Sequence, residues 1–110
     1  MEKFETGAIR EDKSNKSRPG LISPYFIERL AFKLKNGAEI YPDRNWEKGL
    51  PDEATLDSLK RHLLAYEMSK WNGYSEHNKE EDHLSAIAFN LMVLIHNEEI
   101  KKLEKNVDNK

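Results

Sequence analysis

The sequence predicts an all-α domain, because three long segments carry apolar residues at helical spacing and no segment alternates convincingly as a strand would. The chain has 110 residues, of which 35% are charged and 37% hydrophobic, so we expect a small core. It contains no cysteine, which excludes disulfides and thiolate metal sites. We therefore predict a single domain over residues 1–110, with three to four helices, completed by oligomerisation to a dimer or tetramer.

The first 22 residues predict an extended N-terminal arm, since Gly7, Pro19 and Gly20 interrupt helical spacing. The acids and bases of this arm nearly cancel. Its apolar residues suggest that it lies on another surface. The arm also supplies three candidate phosphate ligands, which are Arg10, Lys16 and Arg18.

The first helix is expected to begin at Ser23-Pro24, because serine is a favourable N-cap and proline suits the first helical turn. Asn36-Gly37 predicts its end. Residues 37–51 then predict a loop that is long for a compact domain, and loops of this length are commonly functional or disordered.

The aromatic residues Tyr41 and Trp46 argue against disorder in this loop. Trp46 has two interpretations: it stacks on a nucleotide base, or it fills the core. Cations and an amide beside it suit phosphate, ribose or a base edge. These neighbouring candidate ligands are Arg44, Asn45 and Lys48.

The second helix is expected from about Pro51-Asp52 to Trp71, with a stripe of leucines on one side. Arg61 and His62 lie on it as candidate contacts to a ligand. The alternative is that both are ordinary surface side chains. Residues 72–79 predict a polar connection.

The third helix is expected from about Lys79 to Lys105, followed by a frayed tail at residues 106–110. His83 and Asn90 share one of its faces. An asparagine within an apolar run needs a polar partner, which is another helix, another subunit or a ligand. The predicted buried face comprises Leu84, Ile87, Ala88, Leu91, Leu94, Ile95 and Leu103.

Charge and hydropathy exclude several classes of protein. A net charge of −2 disfavours a protein that binds nucleic-acid duplexes through their phosphates. No run of apolar residues is long enough to predict a membrane span. The first ten residues have no apolar signal core, so we expect a cytoplasmic protein.

A metal site has little support in the pattern alone. Magnesium sites on helical bundles use several inward carboxylates at i, i+3 or i+4. The candidate set is Glu67, Glu81 and Asp82, which is not a compact cluster in sequence. A zinc site on His62 and His83 lacks a clear third ligand.

Taken in order, the motifs resemble a phage-encoded family, the dATP/dGTP diphosphohydrolase N-terminal domain. The resemblance extends from about residue 6 to about residue 99. Its main elements are Thr6-Gly7-Ala8, Gly37-Ala38, Asn45-Trp46-Glu47-Lys48-Gly49, Arg61-His62-Leu63 and His83-Leu84.

The resemblance implies a link to all-α, MazG-type pyrophosphohydrolases, which use magnesium to cleave a nucleoside triphosphate to a monophosphate and pyrophosphate. It also implies a link to small oligomeric phage proteins that capture cyclic nucleotides of bacterial antiviral signalling. The chain departs from the MazG-type pattern, because its second helix has no E-E-x-x-E and its third has no clean E-x-x-D.

We favour a nucleotide-binding protein that captures its ligand, such as a cyclic dinucleotide, at subunit interfaces without turnover and so evades host defence. The first alternative is a magnesium-dependent pyrophosphohydrolase of (deoxy)nucleoside triphosphates, with Arg61 as a transition-state clamp. The second is a helical adaptor for another protein. The predicted ligand contacts are Arg10, Lys16, Arg18, Tyr41, Arg44, Asn45, Trp46, Lys48, Arg61, His62, His83 and Asn90.

Overall fold

The computed structural model describes residues 2–3, 5–10, 15–71 and 81–108. Three helices make up most of this part of the chain: α1 (Pro24–Ala38), α2 (Asp52–Trp71) and α3 (His83–Asp108). The prediction of an all-α fold is confirmed. None of the described helices combines the length and apolar character needed to cross a membrane.

The N-terminal arm contains a small element that the sequence analysis did not predict. Strands β1 (Glu2–Lys3) and β2 (Ile9–Arg10) pair in antiparallel register, with Lys3 opposite Ile9. Gly7 lies between them with φ of 87°, a conformation that favours glycine and lets the chain reverse. Residues 15–22 follow with exposed side chains, including the 3-10 helix Pro19–Leu21.

Helix α1 begins at Pro24 as predicted, but the expected cap has a different mechanism. The Ser23 carbonyl accepts hydrogen bonds from the Phe26 and Ile27 N–H groups at 3.1 and 3.3 Å, whereas its hydroxyl makes no capping bond. The helix continues past the predicted stop at Gly37 to Ala38. The Gly37 carbonyl then accepts two N–H groups of the following turn, which closes the helix.

The predicted bounds hold for α2 and shift for α3. Helix α3 begins at His83 rather than near Lys79, because the Asp82 carboxylate accepts the Ser85 N–H at 3.1 Å and so caps the helix. The helix extends to Asp108, so residues 106–108 of the predicted frayed tail are helical. The predicted connection at residues 72–79 lies outside the described residues, as do residues 109–110.

Helix α3 is central, since it packs on both α1 and α2. Its face toward α2 is marked by His83, Asn90 and Asn97, which recur every seven residues and each contact α2 or its start. Ala86 and Val93 lie between them and are buried at 1% and 0% exposure. We call this contact between the two helices the α2–α3 seam. It is lined by small and polar side chains.

The large apolar residues lie mostly outside this seam. Among the described residues, the buried apolar side chains are those of Ala86, Ala88 and Val93. Much of the predicted buried face of α3 is wrong for the single chain, because the seam uses the neighbouring face of the helix. The exposed members of that predicted face are Leu84, Leu91, Ile95 and Leu103.

Candidate functional site

Two histidines and a carboxylate meet where α2 passes the start of α3. The Nδ1 atoms of His62 and His83 are 2.9 Å apart, and a Glu81 carboxylate oxygen lies 3.7 Å from His62 Nδ1. The three ligand atoms all lie within 4.8 Å of one another, and all three residues are half-buried. We call this group the His62–Glu81–His83 cluster. In this cluster, Glu81 is a potential third ligand, which the sequence analysis did not find for a zinc site on His62 and His83.

The side chain of His62 is more deeply buried than that of Glu81, with exposures of 20% and 31%. Burial lowers the pKa of His62 below its ordinary value, and the positive charges of Lys33 and Arg61 lower it further, while Glu81 opposes the shift. His62 is therefore neutral at pH 7. Its contact with Glu81 is then not an ion pair at that pH, and a ring nitrogen remains available as a metal ligand.

Asp82 has a structural role next to the cluster. Its carboxylate receives two hydrogen bonds from Arg29 of α1, one of them from Nε at 2.8 Å, and also caps α3. These contacts, with Arg29 the largest cause, hold the pKa of Asp82 at about 2. Asp82 thus joins α1 to the start of α3 and fixes the backbone between Glu81 and His83.

Two cations on different helices lie near His62. Lys33 of α1 and Arg61 of α2 both act electrostatically on His62. Within the described part of the chain, neither of them forms an ion pair. The junction of the three helices therefore combines potential metal ligands with two cations that have no ion-pair partner among the described residues.

We call the loop of residues 39–51 the Trp46 loop. Unlike the cluster, it uses its aromatic and charged side chains in contacts within the chain. The Trp46 ring lies edge-on to His96 of α3, with centroids 4.9 Å apart and an angle of 81° between the rings. Trp46 and Asn45 are half-buried, and Arg44 pairs with Glu47. The observed contact of Trp46 is a packing contact with α3.

The loop is joined to α3 by a second contact. Asn97 donates to the Leu50 carbonyl at 3.1 Å and to the Asp52 carboxylate at 2.9 Å. The groove beside it has a volume of about 540 Å³, and its charged lining is mostly acidic. That lining includes Glu47, Lys48, Asp52, Glu53, Lys101 and Glu104.

The predicted ligand residues do not form one pocket within the chain. His83 and His96 are thirteen positions apart on α3, so the His62–Glu81–His83 cluster and the Trp46 loop are separated by about 20 Å along that helix. Tyr41, Lys16 and Arg18 have exposed side chains, and Arg10 is described only as part of β2. Of the predicted residues, the structure brings together His62 and His83, with Arg61 beside them.

Asn90 has its partner on a neighbouring helix. It is buried at 5% exposure and donates to the Ser58 hydroxyl at 3.3 Å. The partner of this asparagine is therefore another helix, which is one of the three alternatives that the sequence left open. Its burial therefore gives no support to a direct ligand contact.

The predicted magnesium set is only partly assembled. Glu67 is exposed on α2 and is outside the cluster, and Asp82 is engaged by Arg29. Magnesium prefers oxygen ligands in octahedral geometry. A donor set of two imidazoles and one carboxylate does not fit this preference.

Sequence reasoning missed Arg29 and the role of Glu81 beside two histidines. No local pattern in the sequence indicates the pairing of Arg29, because its partner Asp82 lies 53 positions away. The seven-residue spacing of His83, Asn90 and Asn97 was readable, and it marks the polar side of the α2–α3 seam.

The fold and the cluster define a small all-α protein with a histidine–carboxylate site at a junction of three helices. A family model described as dATP/dGTP diphosphohydrolase, N-terminal, matches residues 6–107, so the chain belongs to this family. This confirms the resemblance read from the sequence.

One similar protein is the dATP/dGTP diphosphohydrolase of Salmonella phage PMBT28. It is 45% identical over 49 residues, which are 44% of this chain and 17% of that protein. The match thus spans under a fifth of the length of this relative. No solved structure matches the chain.

Proposed function

We propose that this chain binds the phosphate groups of a purine deoxynucleoside triphosphate, dATP or dGTP, and supports its hydrolysis to the monophosphate and pyrophosphate. The observation that carries the proposal is the junction of α1, α2 and α3. There Lys33 and Arg61 flank the His62–Glu81–His83 cluster without ion-pair partners among the described residues.

The chemistry of this junction suits phosphoryl transfer to water. Catalysis of that reaction depends on positioning and on stabilising charge that develops on phosphate oxygens. Guanidinium and ammonium groups supply that stabilisation, and Arg61 presents several donors in a fixed plane. Membership of the family and the name of the phage relative favour hydrolysis over the capture predicted from the sequence.

Capture without turnover remains the competing function and makes a different prediction. A capturing protein returns the nucleotide intact after denaturation, whereas a hydrolase returns the monophosphate and pyrophosphate. We therefore propose incubating the purified chain with dATP, dGTP and a cyclic dinucleotide, each with divalent ions. Chromatography of the denatured mixture identifies the product.

The substitution Arg61→Ala tests the site, and Lys60→Ala, which removes the neighbouring exposed cation of α2, is its matched control. We expect dATP or dGTP turnover that Arg61→Ala reduces and Lys60→Ala leaves unchanged. Recovery of intact nucleotide from a tight complex would support capture and overturn hydrolysis. Absence of binding to every nucleotide would overturn both and leave the adaptor.

A further inference from the structure

The donor set of the His62–Glu81–His83 cluster disagrees with the magnesium that the family resemblance implies. We propose that these three side chains bind one divalent transition-metal ion of the zinc class. Two imidazole nitrogens and one carboxylate oxygen suit zinc, cobalt or manganese, whereas magnesium takes oxygen ligands and retains several waters.

The distances are close to those of a metal site. Zinc holds imidazole nitrogens at about 2.0–2.1 Å, so two ligand atoms in tetrahedral geometry lie about 3.3–3.4 Å apart. The two Nδ1 atoms are 2.9 Å apart, and His62 Nδ1 is 3.7 Å from Glu81. These two distances are within about half an ångström of the value for zinc, and the third pair, Glu81 and His83, lies within 4.8 Å.

The ligands come from elements that fix their positions. His62 is in the middle of α2, and His83 is in the first turn of α3. Glu81 immediately precedes Asp82, which is held by Arg29 and by the cap of α3. The site thus depends on two helices and a restrained turn.

Three protein ligands leave a fourth position open. Zinc sites that act in catalysis commonly have this arrangement, with water or substrate in the remaining position. The cluster is half-buried, so solvent reaches it from one side. The cations Lys33 and Arg61 act on the same site, which suits a phosphate oxygen as the incoming ligand.

The alternative explanation is a hydrogen bond between the two imidazoles, with one Nδ1–H donating to the other. A distance of 2.9 Å suits that bond as well. The two explanations differ in the role of Glu81. A metal requires its carboxylate as a ligand, whereas the hydrogen bond between histidines does not.

This metal site rests on the proposed function only for the role of the ion in nucleotide hydrolysis. Zinc binding itself does not depend on that function. Binding is therefore measured without nucleotide, on the full chain freed of metal by EDTA and dialysis. Titration calorimetry with zinc is expected to show one ion per chain, and magnesium at equal concentration to show none. Cobalt is expected to give the visible absorption bands of a tetrahedral site with nitrogen and oxygen ligands.

Substitutions identify the ligands. His62→Gln, His83→Gln and Glu81→Gln are each expected to weaken zinc binding by more than about 100-fold, since loss of an outer-shell partner alone costs 10- to 100-fold. The matched controls are His96→Gln and Glu67→Gln, which lie on the same helices outside the cluster. Circular dichroism of each metal-free variant verifies that it folds.

Three results would overturn the metal site: no zinc binding by the wild-type chain, equal binding of magnesium, or zinc binding that survives Glu81→Gln. The outcomes also separate the two proposals. Zinc binding without nucleotide turnover would support the metal site and contradict the proposed hydrolysis. Nucleotide turnover by a chain that binds no zinc would support the function and contradict the metal site.

Discussion

The two ends of the α2–α3 seam carry similar residue types and use them in opposite ways. At the Trp46 loop the polar groups are satisfied within the chain, because Arg44 pairs with Glu47 and Asn97 bonds to Leu50 and Asp52. At the His62–Glu81–His83 cluster, potential ligands converge beside Lys33 and Arg61, which have no ion-pair partner among the described residues. The same residue types therefore indicate a candidate ligand site only at the cluster end of the seam.

Charge sharpens the contrast between these two ends. The charged residues that line the groove beside the Trp46 loop are mostly carboxylates, which repel phosphate. Around His62, by contrast, burial lowers the pKa of the imidazole, and the positive charges of Lys33 and Arg61 lower it further. We therefore propose that the phosphates of a ligand bind at the cluster end.

The largest expected effect is on turnover. Arg61→Ala is expected to lower kcat/KM for dATP or dGTP by about 100-fold or more, because the loss of one donor to developing charge has this magnitude. Arg44→Ala, at the Trp46 loop, is expected to change it less than about twofold, since its charge is already paired. Steady-state kinetics of pyrophosphate release measures both.

Equal losses in these two variants would contradict the comparison. A loss in Arg44→Ala alone would place the phosphate site at the Trp46 loop instead.

The next effect is on stability. Trp46→Ala is expected to lower the free energy of unfolding by about 2 kcal/mol, below the range for fully buried tryptophan, since this ring is half-buried against His96. Denaturant unfolding measures the change. Trp46→Phe, which keeps an aromatic edge against His96, is the control and is expected to recover about half of the loss.

The same variant tests the predicted stacking of Trp46 on a base. Nucleotide affinity that falls in Trp46→Ala and recovers in Trp46→Phe, measured where both variants are folded, would support stacking and contradict the separation of the two ends.

A smaller effect is expected at the cap of α3. Asp82→Asn is expected to destabilise the metal-free chain by about 1 kcal/mol at pH 7, because it removes the charge that faces Arg29 and the start of α3, whereas asparagine caps a helix about as well as aspartate. The pKa of Asp82 is depressed to about 2, so its contribution is present above about pH 4 and is lost as the pH falls toward 2.

Unfolding of wild type and Asp82→Asn should therefore differ by a constant amount from pH 5 to 7 and converge between pH 4 and 2. A difference that grows on acidification would contradict the assigned ion pair.

The smallest effect is expected from Asn97→Ala, at about 0.5–1 kcal/mol, because it removes two hydrogen bonds at a partly exposed site. Amide hydrogen exchange should accelerate in the Trp46 loop and stay unchanged at residues 81–85. Acceleration at both ends would show that the two regions are coupled.

The sequence predicted the all-α fold and the bounds of α2 because periodicity and capping signals are local. It failed on the buried face of α3, where the large residues Leu84, Leu91 and Ile95 dominate the pattern while smaller neighbours form the contact. It named both histidines of the cluster but not their convergence with Glu81, because that convergence depends on how α2 aligns with α3. No local pattern encodes such an alignment.

Because small and polar side chains line the α2–α3 seam, the thermal stability of the protein is expected to depend on its concentration. The described residues bury little apolar area, and the radius of gyration is 19.2 Å against about 13 Å for a compact domain of this length. We expect a second copy to cover the outward leucines, in line with the predicted oligomer. The melting temperature would then rise with protein concentration, because association draws the folding equilibrium toward the native state.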